Sequence, residues 1–170
     1  MANYIPITTV TVGNGGAASI NFTNIPQNYT DLQILLSARC TAGGVAFGGA
    51  IIAINNSTAN YTLRWLGDAG GGAVSYTQAA FGYNHLFYIP ASTATANTFG
   101  NATIYIPNYT SSNFKTISAD GANENNATGI YQGVSAGLWS VAAPITSLSL
   151  TTAGSFVQYS TATLYGIRKY

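Results

Sequence analysis

Apolar residues along this chain recur on alternate positions. In Thr9-Val10-Thr11-Val12 and Thr103-Ile104-Tyr105-Ile106 every second residue is aliphatic, and Ile145, Leu148 and Leu150 are interleaved with Ser and Thr. A period of two belongs to a strand with one face on a core and the other in solvent. β-branched and aromatic residues fill these runs, as a pleated, half-buried surface favours. Helical spacing is hard to find. The pattern predicts strands over Ile5–Val12, Ala18–Thr23, Asp31–Arg39, Ala50–Ile54, Tyr61–Leu66, His85–Ile89, Ala96–Ile106, Lys115–Ala119, Ile130–Leu138, Ile145–Thr151 and Ser160–Ile167. So many short strands with turn residues between them predict an all-β, two-sheet antiparallel sandwich, jelly-roll-like, over residues 1–170 as one domain, with a barrel as the alternative.

The interruptions are legible as turns. Gly13-Asn14-Gly15-Gly16 supplies residues that tolerate positive φ between the first two strands. Asp120-Gly121 predicts a turn after another strand, Asp68–Thr77 with its three glycines a flexible loop, and Ala91–Ala96 a connector. Ile25-Pro26-Gln27-Asn28-Tyr29-Thr30 is echoed by Ile106-Pro107-Asn108-Tyr109-Thr110 with one deletion. Because proline cannot donate to a ladder, each predicts a strand end. If the two are equivalent crossings between sheets, Tyr29 and Tyr109 share one kind of environment.

Composition changes the picture in one respect. Five Lys/Arg and four Asp/Glu make up 5% of the 170 residues, against roughly 25% in an ordinary soluble domain. The polar surface must then be Ser, Thr, Asn, Gln and backbone. A net charge of +1 gives little repulsion between copies, which suits a chain whose surface is covered in an assembly. Five basic residues neutralise few phosphates, so nucleic acid is disfavoured as a partner. The longest apolar stretch, Val45–Ile54, is half of what a membrane helix needs, and the first residues have no signal-peptide pattern; neither membrane segment nor leader is expected. Eight Asn-x-Ser/Thr triplets follow from a chain rich in both residue types.

Candidate chemistry is sparse. His85 is the one histidine, with Asp31, Asp68 and Asp120 all distant in sequence, and there is no Gly-x-Ser-x-Gly elbow. Cys40 is alone and predicted to be a buried hydrophobe. One His and one Cys give no transition-metal pattern, and no glycine pair precedes Lys-Ser/Thr. Asp120 and Glu124 are the best carboxylate pair, but their polar surroundings predict a solvated turn rather than an acid–base site or a calcium loop. No catalytic residue, cofactor or metal is expected. Among the aromatics, alternation puts Tyr61, Leu63 and Trp65 on one core-facing side. Trp139 at a strand end, with Tyr83 and His85, forms the candidate glycan surface.

Ser19–Leu32, Ala96-Asn97-Thr98-Phe99, Ile104–Tyr109 and the closing Ser160–Ile167 are together similar to segments of small virion structural proteins of tailed bacteriophages. The resemblance spans most of the chain and is structural, so it carries over no functional residues. It implies a β-sandwich in the virion without enzyme activity. The expected role is a capsid decoration (cement) protein on the outer head surface, assembled in the host bacterial cytoplasm, with the major capsid protein as partner. The alternative is a tail-fibre receptor- or glycan-binding module. The resemblance also implies a homo-oligomer, a trimer. The apolar segment Tyr4-Ile5-Pro6-Ile7 is the candidate interface, since a terminal strand can add to a neighbour's sheet edge.

Overall fold

The computed structural model describes residues 3–68, 71–81, 84–124 and 131–168. They form twelve strands and no helix: β1 (Asn3–Thr11), β2 (Ala17–Phe22), β3 (Asp31–Ala38), β4 (Phe47–Ile54), β5 (Tyr61–Asp68), β6 (Ala73–Phe81), β7 (Asn84–Pro90), β8 (Gly100–Ile106), β9 (Lys115–Asn123), β10 (Tyr131–Trp139), β11 (Leu148–Phe156) and β12 (Thr161–Arg168). They pair antiparallel in two sheets, β1-β12-β3-β8-β9-β10-β5-β6 and β2-β11-β4-β7. The expected two-sheet antiparallel sandwich is what the chain forms.

The unequal sheets have a simple origin. Without β5, β6, β9 and β10, the strand orders are β1-β12-β3-β8 and β2-β11-β4-β7. Renumbered along the chain, these become 1-8-3-6 and 2-7-4-5, the winding of a jelly roll. The pair β5–β6 is inserted between β4 and β7, and β9–β10 between β8 and β11. Both join the same sheet beside β8. At ~4.8 Å per strand the long sheet is about 38 Å wide and the short one about 19 Å, so the short sheet covers about half of it.

Between the sheets the core is mainly aliphatic. Ile20, Leu32, Ile34, Ile52, Ile54, Leu150 and Leu164 are fully buried, with Phe22 and Phe156 among them. Cys40 is buried as expected, and Gly48 on β4 has no room for a Cβ because the Cys40 sulfur occupies it. Where β9, β10 and β5 run past the short sheet, β7 packs across them. Alternation there is strict: Tyr61, Leu63 and Trp65 point inward as expected, while Thr62, Arg64 and Leu66 point out.

The turns use asparagine heavily. Asn24, Asn55, Asn56, Asn60, Asn97 and Asn108 all have positive φ, a conformation that Asn tolerates better than other L-residues with a Cβ. Part of the asparagine content is therefore a turn inventory. Gly15 and Gly16 also have positive φ, as the turn after β1 predicts.

Four local expectations are corrected. Asp120-Gly121 is no turn: both lie inside β9, paired with β8 on one side and β10 on the other. Pairing on both edges overrides the turn preference of Asp-Gly, and Gly121 is there because Phe87 of β7 would stand 3.1 Å from a Cβ. Asp68–Thr77 is not one continuous loop: Asp68 ends β5, residues 73–77 belong to β6, and the Gly72 N–H donates to Asp68 Oδ1 at 3.2 Å, while residues 69–70 lie outside the described residues. β8 begins at Gly100, not Ala96.

The Pro-Asn echo is not a repeated crossing. Residues 23–30 pass from the short sheet to the long one, but residues 107–114 join β8 to β9 within the long sheet. Tyr109 is fully buried, its hydroxyl donating to the Pro26 carbonyl. Tyr29 is half-buried, packed against Gly166 and beneath the Arg168 guanidinium, 5.2 Å from the ring centre. The two segments instead meet: Ile145 donates its N–H to Tyr109 O, and Gln27 Nε2 donates to the carbonyls of Ile25 and Ile145.

Candidate functional site

Three of the nine charged residues are committed to architecture. Asp31 is fully buried at the start of β3 and accepts hydrogen bonds from Tyr105 Oη (2.7 Å) and the Asn108 N–H (3.0 Å). It ties β3 to the β8–β9 turn. Lys115 is buried and donates to the Ser111 and Asn113 carbonyls; burial holds its ammonium below the usual lysine range. Arg39 donates to four carbonyls of the loop after β7, those of Ala91, Ala94, Thr95 and Thr98. Each hydrogen-bonds backbone groups of a loop or turn, which is a structural task.

Asp120 and Glu124 do not converge. Asp120 points outward from β9 and Glu124 lies four residues on, just past the strand end. Four extended residues set their backbones on the order of 13 Å apart along one edge of β9, not on opposite walls of a cleft as two carboxyls flanking a glycosidic bond would be. Among the described residues, no three His, Cys, Asp or Glu side chains lie together as metal ligands.

The expected glycan surface loses a member. Trp139 is 2% exposed, not at the surface. It is the last residue of β10, but it pairs with Tyr61 on one side and Lys115 on the other, and alternation turns it inward with them. Tyr83 and the His85 side chain lie outside the described residues.

Tyr4, Ile5, Pro6 and Ile7 form the first half of β1, an outer strand of the long sheet. The segment pairs with its own chain, Tyr4 opposite Ile167 and Pro6 opposite Tyr165, with a bulge between Pro6 and Thr8. Tyr4 is 53% exposed, and Ile7 packs against the core. A proline and a bulge on an outer strand are devices that blunt edge-to-edge pairing.

Among the described residues, the outer face of the long sheet is a broad exposed surface. Register places one row across all eight strands: Thr9, Thr163, Leu35, Thr103, Asp120, Val134, Leu66 and Ser75. Shallow depressions of about 620, 490 and 400 Å3 lie along the part of this face from β8 to β6. Leu66 and Val134 are directly opposite one another and 55% and 54% exposed. Three charges accompany them: Arg64 and Asp68 on β5 and Asp120 on β9. This surface was missed by sequence reasoning. The signal was present in the alternation of Tyr61–Leu66, whose outward members include a leucine, but it gains meaning only when β10 and β6 are known to flank it.

Against family models, curated proteins and solved structures, the chain has no match. Nothing in these comparisons links it to phage structural proteins, and the functional reading rests on the sequence segments and the surface just described.

Proposed function

We propose that the chain is a structural protein of a tailed-bacteriophage virion, a decoration (cement) protein on the outer head surface that binds the major capsid protein. The observation that carries this reading is the outer face of the long sheet, eight strands wide and built mostly of Thr, Ser, Asn, Gln, Tyr and small apolar residues. A face of this kind suits a wide, wet protein contact. Low net charge favours close packing of copies, and a repetitive lattice turns a weak contact per copy into stable attachment. Jelly rolls serve capsids, lectins and enzymes alike, so the fold contributes only by analogy. The exposed Tyr4 on β1 is the candidate capsid contact.

The test is the number of copies per purified virion, measured by quantitative mass spectrometry against the major capsid subunit. A number comparable to the capsid subunit, or a simple fraction of it, supports decoration. A very small fraction places the chain in the tail, where the glycan-binding alternative would have to manage without Trp139. Absence from the particle ends the virion reading. Within a positive result, Tyr4→Ser should weaken binding to capsids while leaving the fold intact; unchanged binding removes β1 as the contact.

A further inference from the structure

We infer that the outer face of the β5–β10 region binds a second copy of the same chain about a two-fold axis, with Leu66 and Val134 at its centre. The inference rests on the order of residues along β5. Arg64, Leu66 and Asp68 are its outward positions, so a cation, an apolar side chain and an anion stand in line at intervals of about 6.8 Å. That order is self-complementary. An axis lying in the interface, perpendicular to β5 and passing through Leu66, sets Arg64 of one copy against Asp68 of the other, twice. The same axis brings Leu66 onto Leu66 and Val134 onto Val134, because these two are cross-strand partners. An isologous contact requires just this kind of patch.

Charge placement makes the pattern specific. The whole chain has nine charged residues, of which Asp31, Lys115 and Arg39 serve the interior and the loop after β7. Three of the remaining six stand on this one patch of three strands. Asp120 lies on the row of Leu66 and Val134. It therefore comes near its own symmetry mate, a like-charge approach that weakens the pair. Four strands about 24 Å tall present roughly 450 Å2 per copy, or about 900 Å2 in all, which is the size of a weak, reversible contact. The contact is therefore a monomer–dimer equilibrium. It does not depend on the virion reading, and it replaces the expected trimer on this face.

Sedimentation velocity over a wide concentration range tests it. The wild-type chain should show a concentration-dependent dimer. Arg64→Asp and Asp68→Arg should each weaken it by at least about tenfold, because each places like charges together. The two single variants mixed in equal amounts should form a heterodimer in native mass spectrometry, since both cross-axis pairs are then opposite in sign. Asp120→Asn should tighten the dimer. Arg64, Asp120 and Val134 point away from the core, so unchanged thermal unfolding is the control for their variants; Asp68→Arg also removes the bond from the Gly72 N–H, so its control is the mixture with Arg64→Asp, and Val134→Lys stands in should one fail to fold. A wild-type monomer at every concentration overturns the inference. So does a trimer, a dimer indifferent to these substitutions, or the absence of a heterodimer in the mixture.

Discussion

From β1 to β8 the long sheet lies against the short one and is closed by aliphatic side chains from both: Ile34 and Leu164 from one, Ile52 and Leu150 from the other, all fully buried. From β9 to β6 the same sheet continues without a full partner layer and is closed by rings. Trp65 stacks with Tyr131 (centroids 5.3 Å apart) and contacts Tyr76 at 5.6 Å, while Tyr131 meets Tyr88 and Phe47. The indole lies flat on β10: a Cβ at Gly133 would fall 2.6–2.8 Å from three of its atoms. One region has two layers with interdigitating aliphatics. The other is covered only in part, by β7 at the edge of the short sheet, with glycines that lower the backbone surface and large rings that fill the space above it. A jelly roll can thus be widened on one sheet only, provided that rings replace the missing strands.

The sharpest break of this comparison is a cavity in each half. Ile34→Ala empties the centre of β3 between two layers and should cost roughly 3–4 kcal/mol, lost from the whole molecule at once. Trp65→Ala should cost roughly 3 kcal/mol, but with a different distribution. Amide exchange in β5 and β6 should speed up while β3 and β12 keep their protection. Equal acceleration everywhere in both variants would show that the two regions are one cooperative unit and dissolve the contrast.

Gly133→Ala probes the ring cover from the other side. The added methyl meets the indole, so the ring must move, at a cost of about 1–3 kcal/mol. In the Trp65→Ala background that obstacle is gone, and the glycine substitution should become nearly neutral. Additive losses in a double-mutant cycle would mean that the glycine serves the backbone and not the ring.

The jelly-roll half was the more legible in sequence. Its strands alternate cleanly, as in Thr103–Ile106, and their ends carry Pro or Gly-rich turns. The extension was obscured for physical reasons. Val74, Ser75 and Thr77 of β6 follow three glycines and cover no core of their own, so the segment looks like loop until β5 pairs with it. Asp120-Gly121 has turn chemistry that two neighbouring strands overrule. Trp139 at a strand end gives no sign of its burial, because what covers it comes from β5 and β9. The candidate contact face was hidden most completely. A single exposed leucine is unremarkable in any strand, and only the register Val134–Leu66 joins it to an exposed valine as a patch.

The mildest probe is alkaline pH, and it distinguishes the halves without mutation. Burial raises the phenols of Tyr61, Tyr88, Tyr109 and Tyr131, and Tyr88 and Tyr76 push Tyr131 further up. Well below pH 10.0 each is protonated folded or unfolded, so none contributes a pH dependence there. Above it the unfolded chain releases protons that the folded chain keeps, and stability falls as pH rises. Lys115 acts in the opposite sense: its folded value lies below 10.5, so between the two the unfolded chain holds the extra proton and stability rises with pH. That gain is complete only once the pH is well past 10.5, after which the tyrosine loss alone remains. Tyr88 and Tyr131 belong to the ring cluster over the extension, so β5 and β6 should lose exchange protection before β3 does, with phenolate absorbance appearing in step. Tyr131→Phe should delay the loss in the extension and leave β3 unchanged. If β3 and β5 instead open together at one pH, the ring-covered strands are no weaker than the two-layered core, and the widening of the long sheet carries no cost in stability.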